Sequence, residues 1–373
     1  MRTTVVPGYG RVGDMSSRVR PSCCSSAGRG HGRATARGEV RALTTSTGPP
    51  PSSSPRYSFR YQPVLGTELH VVVGCTSAAL AEHAQQQVLD EILRLEALLS
   101  TYRPDSPLSR WVRDEAEEEL PDEVVTVLAL AQTWFAASGG AYDPALGRLR
   151  SLWRKAEHQG RPPLPEECRR LAAQAGRLPY AVRTGADGPR VERVGDCSVL
   201  DLDGLAKGWV VDRAAEVVRE PDVGWLMVNV GGDLRLVGPG PVRVAIEDPG
   251  SRVDNAPPLG VVSMRAGGLA SSGPARRGFR VGERWYGHVL DPRTGQPVDR
   301  GSGVTVVASD TASADALATV VGVQGLDRST VIGLLGDHAA AALEVGPPGR
   351  ARSSPRWRDE VDFEPAPGGP ASG

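Results

Sequence analysis

The chain has 373 residues, 40% of them hydrophobic, enough to bury one large core or two modest ones. A formal net charge of -1 and a sequence pI near 6.6 provide no global field for polyanions, which argues against nucleic acid or an anionic membrane as the main partner. No run reaches the roughly 18 consecutive apolar residues of a membrane span, and the five cysteines show neither a C-x-x-C spacing nor a disulfide framework.

Residues 1–56 are rich in Arg, Ser, Gly and Pro without apolar periodicity, and are expected to form a disordered extension. They hold no apolar core of the kind an export signal needs behind its basic start, nor a cysteine after such a core, so a cytoplasmic location is expected. Strands follow at 57–61 and 67–73. Residues 78–99 carry Ala81, Ala84, Val88, Ile92, Leu95, Leu98 and Leu99 at helical spacing. The stretch from Ser100 to Arg110 reads as a surface turn with one aromatic, Tyr102, able to stack on a ring. A second helix, 122–137, is closed by Gly139-Gly140. Helical segments at 144–156 and 165–175 precede strands at 180–183 and 198–201 and a helix over 205–219. Strands are expected at 225–230, 242–246, 260–265, 279–281, 284–289 and 303–308, then helices at 312–321 and 327–335 and a strand at 339–345. From 346 to 373 the chain is again Pro/Gly-rich and reads as a disordered tail. Helices and strands occur in separate runs, so the class is α+β, with mixed, mostly antiparallel sheets packed with helices in one domain over 57–345.

Three stretches carry chemistry. In Asp201-Leu-Asp203-Gly204-Leu-Ala206-Lys207-Gly208 a strand ends in acids, glycines admit close approach, and a helix begins with free N–H groups that suit a phosphate. Only Lys155 and Lys207 are lysines among 43 basic residues, so Lys207 stands out, although a plain strand-to-helix turn with a solvated lysine fits the same pattern. Asp315 and Thr319 lie four apart on a helix and offer a carboxylate and a hydroxyl to a hard cation such as magnesium. The alternative is that Asp315 only favours the helix start. His288 ends a strand before the tight turn Asp291-Pro-Arg293-Thr-Gly295, either as a general base or as a packed side chain.

Taken in order, these stretches resemble the ApbE family of FAD:protein FMN transferases over about 57 to 345. The resemblance rests on Leu65-Gly66-Thr67, Ser100-Thr101-Tyr102, Gly139-Gly140-Ala141-Tyr142-Asp143-Pro144, the 204–208 turn with Asp212, Gly231-Gly232-Asp233, Ser271-Ser272-Gly273, the 288–295 turn and the 315–319 helix. It implies an ApbE-like fold that binds FAD with magnesium, splits its pyrophosphate, and attaches FMN by a phosphoester bond to a Thr or Ser of an acceptor protein, releasing AMP. By likeness, Asp315, Thr319 and the carbonyl of Ala206 hold the metal. Lys207 and Asp212 contact the nucleotide, while Tyr102, Ala141, Tyr142, Asp143 and Ser272 belong to the flavin or adenine pocket. His288, with Asp315, forms the catalytic pair, His288 as the base for the acceptor hydroxyl. Val112 stands where the family usually has asparagine, and Pro274-Ala275 where it tends to have an acid and an aromatic. These departures keep two alternatives open: a magnesium-dependent FAD pyrophosphatase, and a flavin-binding protein without turnover.

Overall fold

The computed structural model describes residues 4–5, 41–42, 55–115, 119–185, 188–240, 242–251, 256–274, 277–298, 302–346 and 350–367. Strand Thr67–Cys75 is buried along nearly its whole length, as a strand covered on both faces must be. It sits inside a sheet whose order is Arg350–Ser353, Ala341–Gly346, Gly303–Ala308, Gly267–Ser272, Asp233–Val237, Val223–Val230, Thr67–Cys75, Arg56–Val64 and Arg41–Ala42. Every neighbouring pair in it is antiparallel.

Alternation along these strands sends successive side chains to opposite faces. Val71, Val73, Leu226 and Val228 point to one face, where helices Ala78–Leu99, Ala206–Glu216 and Thr311–Gln324 bury their apolar sides. Val72, Met227, Leu234 and Leu236 point to the other, against a second sheet that contains Val242–Ile246, Gly260–Met264 and Asp362–Pro365. A third, smaller core joins helix Gly147–Gln159, through Leu149 and Trp153, to the hairpin Gly278–Val281/Arg284–Gly287, through Phe279 and Val281. No described helix is long and apolar enough to cross a membrane.

The α+β expectation holds, with several differences in detail. The strand expected at 198–201 is a short 3-10 turn, Cys197–Val199, because Asp196 caps it through the Ser198 N–H and Asp201 is drawn onto Arg150. Within the expected surface turn at 100–110 begins a helix, Pro107–Val112, capped by the Ser106 hydroxyl and anchored by buried Leu108 and Trp111. The disordered tail expected over 346–373 is corrected. Arg350–Ser353 pairs with Ala341–Gly346, and Asp362–Pro365 pairs with Gly260–Met264. Trp357, on helix Pro355–Glu360 between them, is 1% exposed in the second core, where it and Phe363 outweigh the polar composition around them. Of the expected extension over 1–56, Thr4–Val5 pairs with Val242–Ile246 and Arg41–Ala42 with Arg56–Val64. Its remainder up to residue 54 lies outside the described residues, as do 347–349 and 368–373.

Candidate active site

Two helices meet end to side to build one wall of the site. Asp310 caps helix Thr311–Gln324 through the Ser313 N–H at 2.7 Å. From helix Ala206–Glu216 the buried Asp212 carboxylate accepts from the Thr311 and Ala312 N–H groups, both at 2.9 Å. The return contact is the Gly208 N–H donating to Asp315 Oδ2 at 3.3 Å. One turn along, Thr319 packs on Gly204, whose φ of 82° and whose missing Cβ are both required: a Cβ there would sit 2.5 Å from Thr319 Oγ1. Asp315 and Thr319 therefore face the 204–208 turn directly. Lys207, in the first turn of its helix, forms an ion pair with Asp233.

Facing this wall is the 138–146 turn. The Ser138 hydroxyl accepts from the Tyr142 N–H at 3.0 Å, and Asp143 accepts from the Ala145 and Gly176 N–H groups at 2.7 and 2.9 Å. Asp143 thus spends both oxygens on backbone and shapes the turn. Behind it, Arg150 is paired with Asp201 and lies 3.3 Å from Asp203. Arg277 precedes the 278–287 hairpin and His288 follows it, the His288 N–H donating to the Arg277 carbonyl at 3.2 Å. The Gly231 turn runs under Arg277, with Nη2 only 3.0 Å from where a Cβ would stand. Together these groups enclose a cleft of about 740 Å³, its open mouth included. Among the described residues the buried Tyr142 hydroxyl and His288 Nδ1, both of residues lining this cleft, find no hydrogen-bond partner.

Burial lowers Lys207 to about 8, with Arg277 adding to the effect and Asp315 and Asp203 opposing it. Burial also drives His288 down to about 3, reinforced by Arg277 and Arg150, so the imidazole is neutral at pH 7. For Asp203 burial pushes upward but is outweighed by Arg150, Arg277 and Lys207, and the carboxylate stays ionised. Its neighbour Asp201 is raised, by burial first and then by the adjacent Asp203 charge, against the pull of Arg150. Among the described residues no three His, Cys, Asp or Glu side chains converge on a metal cage. The pair Asp315 and Thr319 is a sparse set of hard oxygen donors, which suits magnesium, an ion that keeps waters and phosphate oxygens in its shell.

A family model described as the ApbE family matches residues 65–338. The chain belongs to the ApbE family. The FAD:protein FMN transferase of Haemophilus influenzae is 28% identical over 280 residues, 71% of this chain and 80% of that protein. That of Treponema pallidum is 28% identical over 81% of this chain and 88% of its own length. Among solved structures, the ApbE protein of Thermotoga maritima superposes with a TM-score of 0.70 at 28% identity, covering 81% of this chain and 98% of that one. The apo flavinyl transferase ApbE of Pseudomonas stutzeri gives 0.63 at 27% identity, covering 86% and 96%.

Of the residues that the ApbE resemblance singles out, Ala141, Tyr142, Asp143, Lys207, Ser272, His288, Asp315 and Thr319 all line the one cleft. Ala206 opens the helix between Gly204 and Lys207. Two of the expected residues are not among those that line the cleft. Asp212 does not line the cleft, because both its oxygens are taken by the start of helix Thr311–Gln324. Tyr102 is 68% exposed and outside the cleft lining, its hydroxyl accepting from Arg154 Nη2 at 2.7 Å and its ring lying under that guanidinium. Sequence reasoning missed Arg150 and Arg277 as cleft residues. In a chain whose basic residues are nearly all arginine, neither carries a local signal.

Proposed function

We propose that this ApbE protein is an FAD:protein FMN transferase, cutting the pyrophosphate of FAD and joining the FMN half to a serine or threonine of a partner protein. The observation that carries the reading is the meeting of Asp315 and Thr319 with the 204–208 turn on one cleft, beside Lys207 and His288. The relatives named for that activity are similar over most of the chain. The catalytic unit is taken as residues 57–367.

Asp315, Thr319 and the Ala206 carbonyl are the groups that would hold magnesium, which when bound neutralises charge on pyrophosphate oxygens. Lys207 and Arg277 present further positive charge to those oxygens, whereas the Ala206 and Gly208 N–H groups that open helix Ala206–Glu216 are taken by the Leu202 carbonyl and by Asp315. Burial strengthens each contact because little water competes for it. The acceptor oxygen bonds to the flavin-side phosphorus as the bond from that phosphorus to the bridging oxygen breaks. AMP leaves with the bridging oxygen, and the hydroxyl proton passes to the neutral His288. A bound pyrophosphate offsets Arg277 and Arg150, removing the arginine part of the depression and making the imidazole a better base.

Incubation with FAD, magnesium chloride and a library of short peptides bearing one central threonine is expected to add one FMN mass to peptides and to release AMP. Asp315→Ala is expected to reduce transfer at least about 100-fold, the scale seen when one transition-state contact is removed. Intact FAD after incubation, or free FMN with no labelled peptide, would count against the transferase reading.

A further inference from the structure

Outside the cleft lining, three polar side chains converge where helix Ala78–Leu99 meets the turn that follows helix Ala206–Glu216. His83 and Gln87 stand four apart on one face of the first helix, and Glu220 reaches them from the turn. The Gln87 amide nitrogen lies 2.9 Å from Glu220 Oε1 and 3.2 Å from His83 Nε2, and that Nε2 lies 3.3 Å from the same Oε1. Three polar atoms thus form a nearly equilateral triangle. The elements that carry them are fixed: the Ser77 hydroxyl caps the helix through the Leu80 N–H, and the Glu220 carbonyl accepts from the Val223 N–H as the chain enters strand Val223–Val230.

Protons alone do not satisfy this triangle. As an acceptor, His83 Nε2 takes an amide proton from Gln87 but then faces the Glu220 oxygen lone pair to lone pair; as a donor to Glu220 it meets the Gln87 N–H head on. Two further oxygens, Gln87 Oε1 and Glu220 Oε2, are buried without a hydrogen-bond partner among the described residues. A cation relieves these conflicts. Ligand atoms about 2.1 Å from one ion stand roughly 3.0–3.4 Å apart in octahedral or tetrahedral geometry, close to the separations in this triangle. Half a turn of the Gln87 amide places its oxygen at the corner its nitrogen holds, giving one imidazole, one carboxylate and one carbonyl oxygen. Imidazole suits zinc, nickel or cobalt, whereas magnesium takes oxygen ligands. His83 is 62% exposed, so water reaches the open side and completes the shell.

We propose that His83, Gln87 and Glu220 form a second metal site, for a divalent transition ion of the zinc type, which clamps helix Ala78–Leu99 to the turn behind the helix that carries Lys207. The site depends neither on the transferase reading nor on its magnesium.

Calorimetric titration of the untagged full chain with zinc chloride, under saturating magnesium, tests it. A zinc site is expected that His83→Ala and Glu220→Gln each weaken at least about tenfold, since even a partner behind a metal ligand is worth about 10–100-fold. Zinc should raise the melting temperature of the wild type but not of His83→Ala, because the three ligands come together only in the folded chain. Gln87→His sets a second imidazole at the same corner and should tighten zinc at least about tenfold. His158→Ala, at an exposed histidine of another helix, should change nothing. A wild-type chain that takes up no zinc overturns the proposal. Zinc held equally well by wild type, His83→Ala and Glu220→Gln also overturns it, since the ion then sits elsewhere. Neither result bears on flavin transfer, which the peptide assay reads by itself.

Discussion

Lys207 touches Asp233 and is held near 8 mainly by burial, so it is an ammonium at neutral pH and an amine above about 8. If its charge stabilises the pyrophosphate, kcat/KM for FAD falls as pH rises through about 8. Asp233→Asn removes the carboxylate against Nζ and is expected to move that fall to lower pH, whereas Lys207→Arg, which stays charged, should abolish it. A profile flat from neutral to mildly alkaline pH in the wild type would rule out a role for the charge. This lysine was legible in the sequence because it is one of only two. Arg277 and Arg150 were not, since any one arginine is lost among so many, and only the fold brings them opposite the 204–208 turn. Asp212 illustrates the converse, for a carboxylate beside a binding motif serves a ligand or a neighbouring helix, and spacing along the chain does not distinguish the two.

At the scale of elements, the site depends on how helix Thr311–Gln324 is held by helix Ala206–Glu216. Two backbone N–H groups end on Asp212, and Asp212→Ala leaves both buried without an acceptor. The expected cost is about 2 kcal/mol, measured by urea denaturation, with FAD affinity of the folded protein nearly unchanged. A large loss of FAD affinity at unaltered stability would instead restore Asp212 as a ligand-binding residue. Long periodic elements were read well: 78–99, 122–137, 242–246 and 303–308 begin and end where the sequence places them. Strand Gly267–Ser272 was not anticipated, because Gly-Gly-Leu-Ala-Ser-Ser has little intrinsic strand preference and is fixed by its neighbours Asp233–Val237 and Gly303–Ala308. Helix Pro107–Val112 was missed although its signals, a Ser cap followed by Pro, are local ones.

Across the whole molecule, the large sheet is buried on both faces, and the segment from Arg350 to Pro365 helps to close the second face by adding a strand to each sheet with Trp357 between them. Composition hid this, because two aromatic anchors suffice to order a stretch that is otherwise charged. Trp357→Ala is expected to cost about 3–5 kcal/mol, measured by chemical denaturation, without altering the peptide KM of the remaining folded enzyme. A loss below about 1 kcal/mol would show that the segment only rests on the surface. The register of the large sheet has a further consequence. Cys75 and Val223 are partners on adjacent strands, so the chain leaves the sheet and returns to it at one place, with residues 76–222 hung between. Helices Ala78–Leu99 and Ala206–Glu216 within that excursion are packed on the sheet and fixed in length by it. The loops that join its helices are the segments able to lengthen or shorten among descendants of this scaffold, because closing a loop costs entropy only with the logarithm of its length, while the two strands at its ends stay locked in step.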